Sequence, residues 1–243
     1  MAQSLKNGID ALLFLASKKS VGVTELAEVL CVHKSTAFRI LDTFAEANMV
    51  QKDPETLKYM LGPAILRLSE QYYKNFNRIA LAKPVMEQLA AEIHESVHLC
   101  VLANNSAIVI EQVLSASRLV VSAKIGNSEP LHCSSVGKCL LAYSPEETRE
   151  KLIADIRFDV FTDKTIRSTE QLRAELEKVR QNGFALDDEE LSDNIKCAAV
   201  PVFGGRGDCA YSLGVSGVSS RMTQEKLDRV ILLMKRAAQD MLA

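Results

Sequence analysis

Apolar positions in residues 1–48 recur at helical spacing in three separate stretches, which predicts three short helices. In the first, Leu5, Ile9, Leu12 and Leu13 form the stripe expected to face a core. Thr24 stands where an N-cap would open a second helix over Glu25 to Leu30. A tight break at Cys31-Val32 leads into a third helix, from His33 or Lys34 to Ala47. Its core face is Ala37, Ile40, Leu41 and Phe44, and Asn48 occupies the left-handed position that ends it. The period then changes. Met49 to Gln51 and Leu57 to Leu61 read as short strands around the polar turn Asp53-Pro54-Glu55-Thr56. Three helices followed by a β-hairpin is the order of a winged helix-turn-helix. Gly62-Pro63 opens a further amphipathic helix with Ile65, Leu66, Leu68 and Tyr72 on one side, suited to connect two domains.

Beyond Phe76 the pattern is that of a mixed α+β domain. A helix is expected from Asn77 to Ile93, with Pro84 marking a break within it. Strands are expected at Val97 to Ala103, Ala107 to Val113 and Leu119 to Ala123, the first two joined by an Asn-Asn-Ser turn. One helix begins near Ser134. Another opens on the capping box Ser168-Thr169-Glu170-Gln171 and stops at Gly183. Lys196 to Phe203 and Asp208 to Ser216 flank Gly204-Gly205-Arg206-Gly207, a hairpin signal, and Thr223 caps a last helix with Leu227, Ile231, Met234 and Met241 inward. Hairpin-joined strands with helices beside them favour a mainly antiparallel sheet over a βαβ nucleotide fold.

Composition narrows the function classes. At 243 residues and 47% hydrophobic, the chain can bury a core and is not disordered. No apolar run approaches the ~20 residues of a membrane helix, and the N-terminus has no signal-peptide pattern. A cytoplasmic protein with no membrane partner is expected. Six cysteines are too few for a disulfide scaffold, and the absence of Trp weakens any scheme built on stacking with single strands.

Charge changes the picture locally. The net charge is −2, and residues 1–60 hold seven cations against seven carboxylates, so no polycation is present. Yet no acid lies between Glu28 and Asp42, where His33, Lys34 and Arg39 stand. Ser35, Thr36, Phe38, Arg39 and Thr43 share the face opposite the apolar stripe. A helix entering a major groove needs short hydroxyls for phosphates, an Arg for a base edge and no carboxylate. Lys52 and Lys58 supply cations on the wing. The bland alternatives are a solvated helix face, or a helix-turn-helix used for protein contact, which would not require an acid-free face.

The run ELAEVLCVHKSTAFRILDTFAEANMV, then YMLGPAILRLSE, resembles the start of the isocitrate lyase regulator (IclR) family of bacterial transcription factors. So do ESVHLCVL, LHCSSVGKCLLA and GFALDDEELSDNIKCAAVPVFGGRGDCAYSLGVSGVSSRMT, in order over nearly the whole chain. The resemblance implies a winged helix-turn-helix over 1–62, a linker helix over 63–76 and a GAF-like effector domain over 77–243. It also implies double-stranded operator DNA and a small organic-acid effector as partners, in a homodimer or dimer of dimers. The recognition segment maps to Lys34, Ser35, Thr36, Phe38 and Arg39; with Thr24, Lys52 and Lys58 these are the DNA-binding candidates. Departures from the family pattern are Cys31 and Asn48 in place of glycines, and Asn7 in place of an Arg that would contact phosphate.

The same resemblance places the effector on Ser135, Val136, Asp187, Cys197, Gly214 and Ser216. Independent chemistry supports part of this set. Ser134-Ser135-Val136-Gly137 opens a helix whose free N–H groups suit a small anion. Ser216 can donate a hydrogen bond, and Asp187 can accept one. Relatives that bind small keto acids tend to carry Gly at 135 and Ser at 214; here the pair is reversed. Plain readings stand beside these: an N-cap for Ser134 and Ser135, a buried small hydrophobe for Cys197. His98 and Cys100 share one side of a strand, where His98 reads as a packed, hydrogen-bonded histidine.

Three rival chemistries use the cysteines. His132, Cys133, Cys139 and Cys197, with or without Asp187, are a soft-ligand set that could hold zinc, although Cys133 and Cys139 lack knuckle spacing. The same thiols could sense redox state. A Cys197 or Cys133 nucleophile with His132 and Asp187 would make an enzyme, but a winged-helix domain has no place in a simple hydrolase, so no catalytic role is assigned.

Overall fold

The computed structural model describes residues 3–75, 77–103, 105–204 and 207–241. The chain divides into two compact units, Met1–Asn77 and Arg78–Ala243.

In the first unit α1 (Gln3–Ala16), α2 (Val23–Val29) and α3 (Lys34–Glu46) precede a two-stranded wing, β1 (Val50–Lys52) and β2 (Tyr59–Leu61), and α4 (Ala64–Asn75). Their core joins Ala11, Leu15, Val21, Leu26, Ala37, Leu41, Val50 and Tyr59. Val21 exchanges backbone hydrogen bonds with Tyr59, tying the α1–α2 connection to the wing. Cys31 takes the left-handed conformation, φ 52°, that a glycine would adopt without strain, and Asn48 does so at φ 55°.

Two expectations for this unit are corrected. The core side of α1 is Asn7, Gly8, Ala11 and Leu15, whereas Leu5, Ile9 and Leu13 are exposed. Small residues let α1 approach α3 closely: a Cβ on Gly8 would lie 3.3 Å from Phe44 Cζ. Thr24 does not cap α2, because the helix starts two residues earlier than expected, at Val23, with Gly22 at the N-cap. Leu66, Leu68 and Tyr72 of α4 are likewise exposed in this chain.

The second unit opens with α5 (Asn77–Ile93), which runs through Pro84 without a break. Burial of Ala82, Met86, Leu89, Ala90 and Ile93 on one side outweighs the hydrogen bond that proline removes. Next come β3 (Ser96–Ala103), β4 (Ser106–Val113), β5 (Ser128–Glu129), α6 (Ser135–Ala142), α7 (Glu146–Asp155) and α8 (Thr169–Asn182). The unit closes with β6 (Ala185–Asp188), β7 (Ile195–Phe203), β8 (Cys209–Val218) and α9 (Gln224–Asp240). The six strands form one antiparallel sheet in the order β5-β4-β3-β8-β7-β6.

Caps fall where the sequence places them. Ser134, Ser168 and Thr223 accept from Gly137 N, Gln171 N and Lys226 N, and Gly183 ends α8 at φ 73°. Leu119 to Ala123, expected as a strand, forms none: it has the right side chains but no ladder partner, and only Ser128 and Glu129 pair with β4. Asn104, in the expected turn, and Gly205 and Arg206, in the expected hairpin, lie outside the described residues.

Pairing fixes which side chains share a face. His98 stands opposite Gln112 on β4 and Gly214 on β8, and Gly214 stands opposite Ala199 on β7. One rung along, Ser96, Ser216, Cys197 and Asp187 line up across β3, β8, β7 and β6. α6 packs on this face, with α8 beside it, while α9 packs against β7. A β-bulge between Leu99 and Cys100, where β3 meets β4, lies next to His98.

Candidate functional site

Two surfaces gather the residues singled out by sequence. The first is α3. Its buried side is Ala37 and Leu41, which leaves Lys34, Ser35, Thr36, Phe38, Arg39 and Thr43 exposed along the other. The first turn holds no acid, and His33 at the N-cap uses no side-chain bond. Thr43 Oγ1 donates to Arg39 O at 2.8 Å, so its hydroxyl is spent on the helix. Arg39 borders a groove of about 630 Å³ between α1 and α3, with Thr36, Ile40 and Ile9. Thr24 borders another of about 500 Å³ at the α2–α3 turn, beside Lys34.

On the wing Lys52 and Lys58 are exposed, and Lys52 Nζ lies 5.6 Å from the Tyr59 ring centroid. Asp53 Oδ1 accepts from Glu55 N and Thr56 N, which builds the tip and holds its carboxyl below the ordinary value. The unit therefore presents a cation-bearing helix face and a cation-bearing hairpin, with α3 the element able to enter a groove.

The second site is a partly open cavity of about 180 Å³ between the sheet and the start of α6. Ser135, Val136, Asp187, Cys197 and Ser216 line it, as expected. Gly214 does not. It sits under His98, where a Cβ would come 2.3 Å from His98 Nε2 and 2.6 Å from Val136 Cγ1. Gly137 opens space for backbone: a Cβ there would meet Pro130 O at 2.3 Å. Lining residues missed from sequence are His98, Glu129 and the loop Val121-Ser122-Ala123, together with Leu191, Ser192 and Ile195. The loop has the residue pattern of a strand, and a half-buried acid two residues before Leu131 carries no local signal of its own.

The polar groups are set by short-range bonds. Ser134 Oγ accepts from Gly137 N at 3.0 Å and donates to Pro130 O at 2.6 Å. Asp187 Oδ1 accepts from Glu190 N at 2.7 Å and from Leu191 N at 3.3 Å. Burial nonetheless dominates and pushes the Asp187 carboxyl up to about 7. Burial also raises Glu129. Cys197 Sγ donates to Ser216 Oγ at 3.2 Å. His98 is 3% exposed, and its Nδ1 has no hydrogen-bond partner among the described residues, which corrects the expectation of a hydrogen-bonded ring. Burial holds the imidazole neutral, with its pKa lowered to about 4. No Lys or Arg lines the cavity.

The soft-ligand set is not assembled. His132 Nε2 lies 3.0 Å from Asp159 O, and the ring packs edge-on against Phe158. Cys133, Cys139 and Cys197 are buried, which raises each thiol far above its ordinary value. Among the described residues no group of three His, Cys, Asp or Glu is placed to hold a metal ion. The buried, protonated thiols suit neither a redox sensor nor a nucleophile.

A winged helix-turn-helix whose third helix is exposed and carries no acid before Asp42, together with a separate α+β unit, defines the class: a DNA-binding transcription regulator. Comparison with known proteins takes this further. Residues 4–54 match the IclR helix-turn-helix domain, and residues 70–243 match the C-terminal domain of bacterial transcriptional regulator IclR. The chain is 31% identical over 226 residues to the HTH-type transcriptional regulator KdgR of Dickeya chrysanthemi, covering 93% of this chain and 74% of that one. It is 30% identical over 241 residues to the transcriptional repressor IclR of Escherichia coli K12, covering 98% and 88%. In fold it is similar to an IclR homologue from Microbacterium hydrocarbonoxydans solved with 4-hydroxybenzoate: TM-score 0.86 at 20% identity, covering 98% of this chain and 97% of that one. The chain belongs to the IclR family of bacterial transcriptional regulators, which are not enzymes. Among the described residues no helix is long and apolar enough to cross a membrane.

Proposed function

We propose that this chain is a cytoplasmic, sequence-specific repressor whose hold on operator DNA is modulated by a small organic acid bound in the α6 cavity. The cavity at the α6 N-terminus, with polar groups set in a largely apolar lining, carries the reading. The helix dipole there offers the positive potential that a carboxylate needs, since no cation lines the space. Ser135 and Ser216 supply donors around it, joined by Asp187 when its raised carboxyl holds a proton, and Cys197 and Val136 supply wall. A structural relative solved with 4-hydroxybenzoate supports an aromatic or aliphatic monocarboxylate as the class.

On the DNA side, Arg39 reads a base edge in the major groove, while Lys34, Ser35, Thr36 and Phe38 position α3, with Thr24 at the backbone. Lys52 and Lys58 touch phosphate or minor groove. As a homodimer or a dimer of dimers, with 63–76 as the linker helix and 77–243 as a GAF-like effector domain, the protein sets two α3 helices about 34–36 Å apart on an inverted repeat. The acid acts only through its different affinity for the DNA-competent and DNA-incompetent states.

Selection of genomic fragments by the purified protein tests this. The expected result is enrichment of one inverted-repeat sequence, with selection relaxed at one base position of each half-site in Arg39→Ala. Uniform recovery of fragments would overturn the sequence-specific reading. Native mass spectrometry of the same sample reports the subunit number and any retained acid.

A further inference from the structure

Among the described residues that line the cavity, His98 is the one with a buried side-chain polar atom left unpaired. It is 3% exposed, yet its Nδ1 has no partner among the described residues. A buried polar atom left unpaired destabilises a fold, and native proteins rarely keep one without a use. The ring is not there for want of a better filler either. It stands on β3 directly opposite Gly214, and any side chain on Gly214 would collide with its Nε2 and Cε1. On its other side is Gln112, whose Nε2 is also buried and unpaired. The sheet thus leaves a bare glycine beneath an imidazole that lines the cavity.

We propose that His98 is a ligand-binding residue that reads a hydroxyl or keto oxygen of the effector, and so sets the protein's preference for oxygen-substituted over plain carboxylic acids. The assignment rests on the organic-acid reading above and deepens it. His98 cannot serve as the counter-charge for the carboxylate, because burial keeps the ring neutral through the physiological range. A neutral imidazole carries one N–H and one lone pair, so it can donate to a keto oxygen or accept from a hydroxyl. It stands on β3, while Asp187 stands on β6, three strands away across Ser216 and Cys197. The two groups therefore address different parts of a bound molecule. A site built to pair with an oxygen discriminates against the analogue that lacks it, because the site's own polar group is then stranded.

The test compares the full-length parent protein with His98→Leu and His98→Gln, using two acid pairs as probes: lactate with propionate, and 4-hydroxybenzoate with benzoate. Calorimetry or ligand-induced thermal shift reads binding, and the ligand-free Tm reads the fold. In the parent, the oxygen-bearing member of at least one pair binds about tenfold more tightly than its partner, the effect of one buried hydrogen bond. In His98→Leu that preference disappears while the ligand-free Tm stays level or rises, since an unpaired polar atom has been replaced by an apolar group of similar size. His98→Gln, which keeps a donor and an acceptor, retains part of the preference. A lower ligand-free Tm in His98→Leu with the preference intact would show a structural histidine and overturn the assignment. If no acid of either pair shifts the parent, the organic-acid reading fails and this assignment with it. If the parent discriminates and His98→Leu discriminates equally, only His98 is wrong.

Discussion

Lys138 Nζ lies 2.5 Å from Glu190 Oε1 and 3.6 Å from Glu175 Oε1, with the lysine side chain wholly buried. This pairing locks α6 to the segment after β6. That segment's Glu190 and Leu191 N–H groups hold the Asp187 carboxylate oxygen. One buried cation thus organises both the helix whose N-terminus borders the cavity and the acid across from it, without touching the cavity itself.

Removing that cation strands a carboxylate. Lys138→Met should cost about 3–5 kcal/mol of stability at neutral pH. Adding Glu190→Gln should recover much of the loss, because the buried charge is then gone too. Urea denaturation of the single and double variants checks this; equal stability of Lys138→Met and parent would mean that water reaches the pair.

Asp187 should make stability depend on pH in a set direction. Its folded-state pKa of about 7 lies above the ordinary 3.8, so the native state holds a proton that the unfolded chain releases. The contribution is full below about pH 4 and is lost as pH rises through 7. Groups facing it are Glu190 and Lys138, the Cys133 and Cys197 thiols, and Glu129 across the cavity. Asp187→Asn should therefore gain on the parent between pH 5 and pH 8. A carboxylate ligand should bind the parent more tightly at pH 6 than at pH 8, with a flatter profile in the variant. Denaturation and binding at those pH values test both signs.

Gly214→Ala should act through His98. The added Cβ has no room between the imidazole and Val136, so one of them must move. Overpacking of this kind costs about 1–3 kcal/mol. Unlike His98→Leu, the variant should lower both the ligand-free Tm and the preference for oxygen-bearing acids. A neutral result by thermal melt would show that the ring has space to retreat.

On DNA, Arg39→Ala should cost about 1–3 kcal/mol and relax selection at one base position. Lys52→Ala should weaken all sequences alike and reduce the salt slope by about one. Titrations of selected and scrambled duplexes at several salt concentrations separate the two behaviours.

The α3 surface was legible because two independent signals coincide there, a helical apolar period and a stretch without acids between Glu28 and Asp42. Periodicity was misleading for α1. Leu5, Ile9 and Leu13 do form a stripe, but Gly8 and Ala11 make the close contact with the rest of the unit. Val121-Ser122-Ala123 has strand-like side chains, yet strandhood needs a ladder partner that no local pattern reveals. His98 was hidden for a related reason. In an apolar strand a single histidine looks packed and satisfied, and only the register that sets it opposite Gly214 shows that it is neither crowded out nor paired. Cys31 and Asn48 show the reverse case, where residues that depart from glycine still adopt the left-handed turns the fold requires.

The central claim is that one small acid in the α6 cavity changes the grip of α3 on DNA. Fluorescence anisotropy of the selected operator, titrated with protein in the absence and in saturating presence of the acid giving the largest thermal shift, measures that coupling directly. Operator Kd values should differ at least about fivefold between the two titrations, with Ser135→Ala keeping the acid-free affinity and losing the difference. Superimposable curves, with the acid shown to be bound, would contradict it.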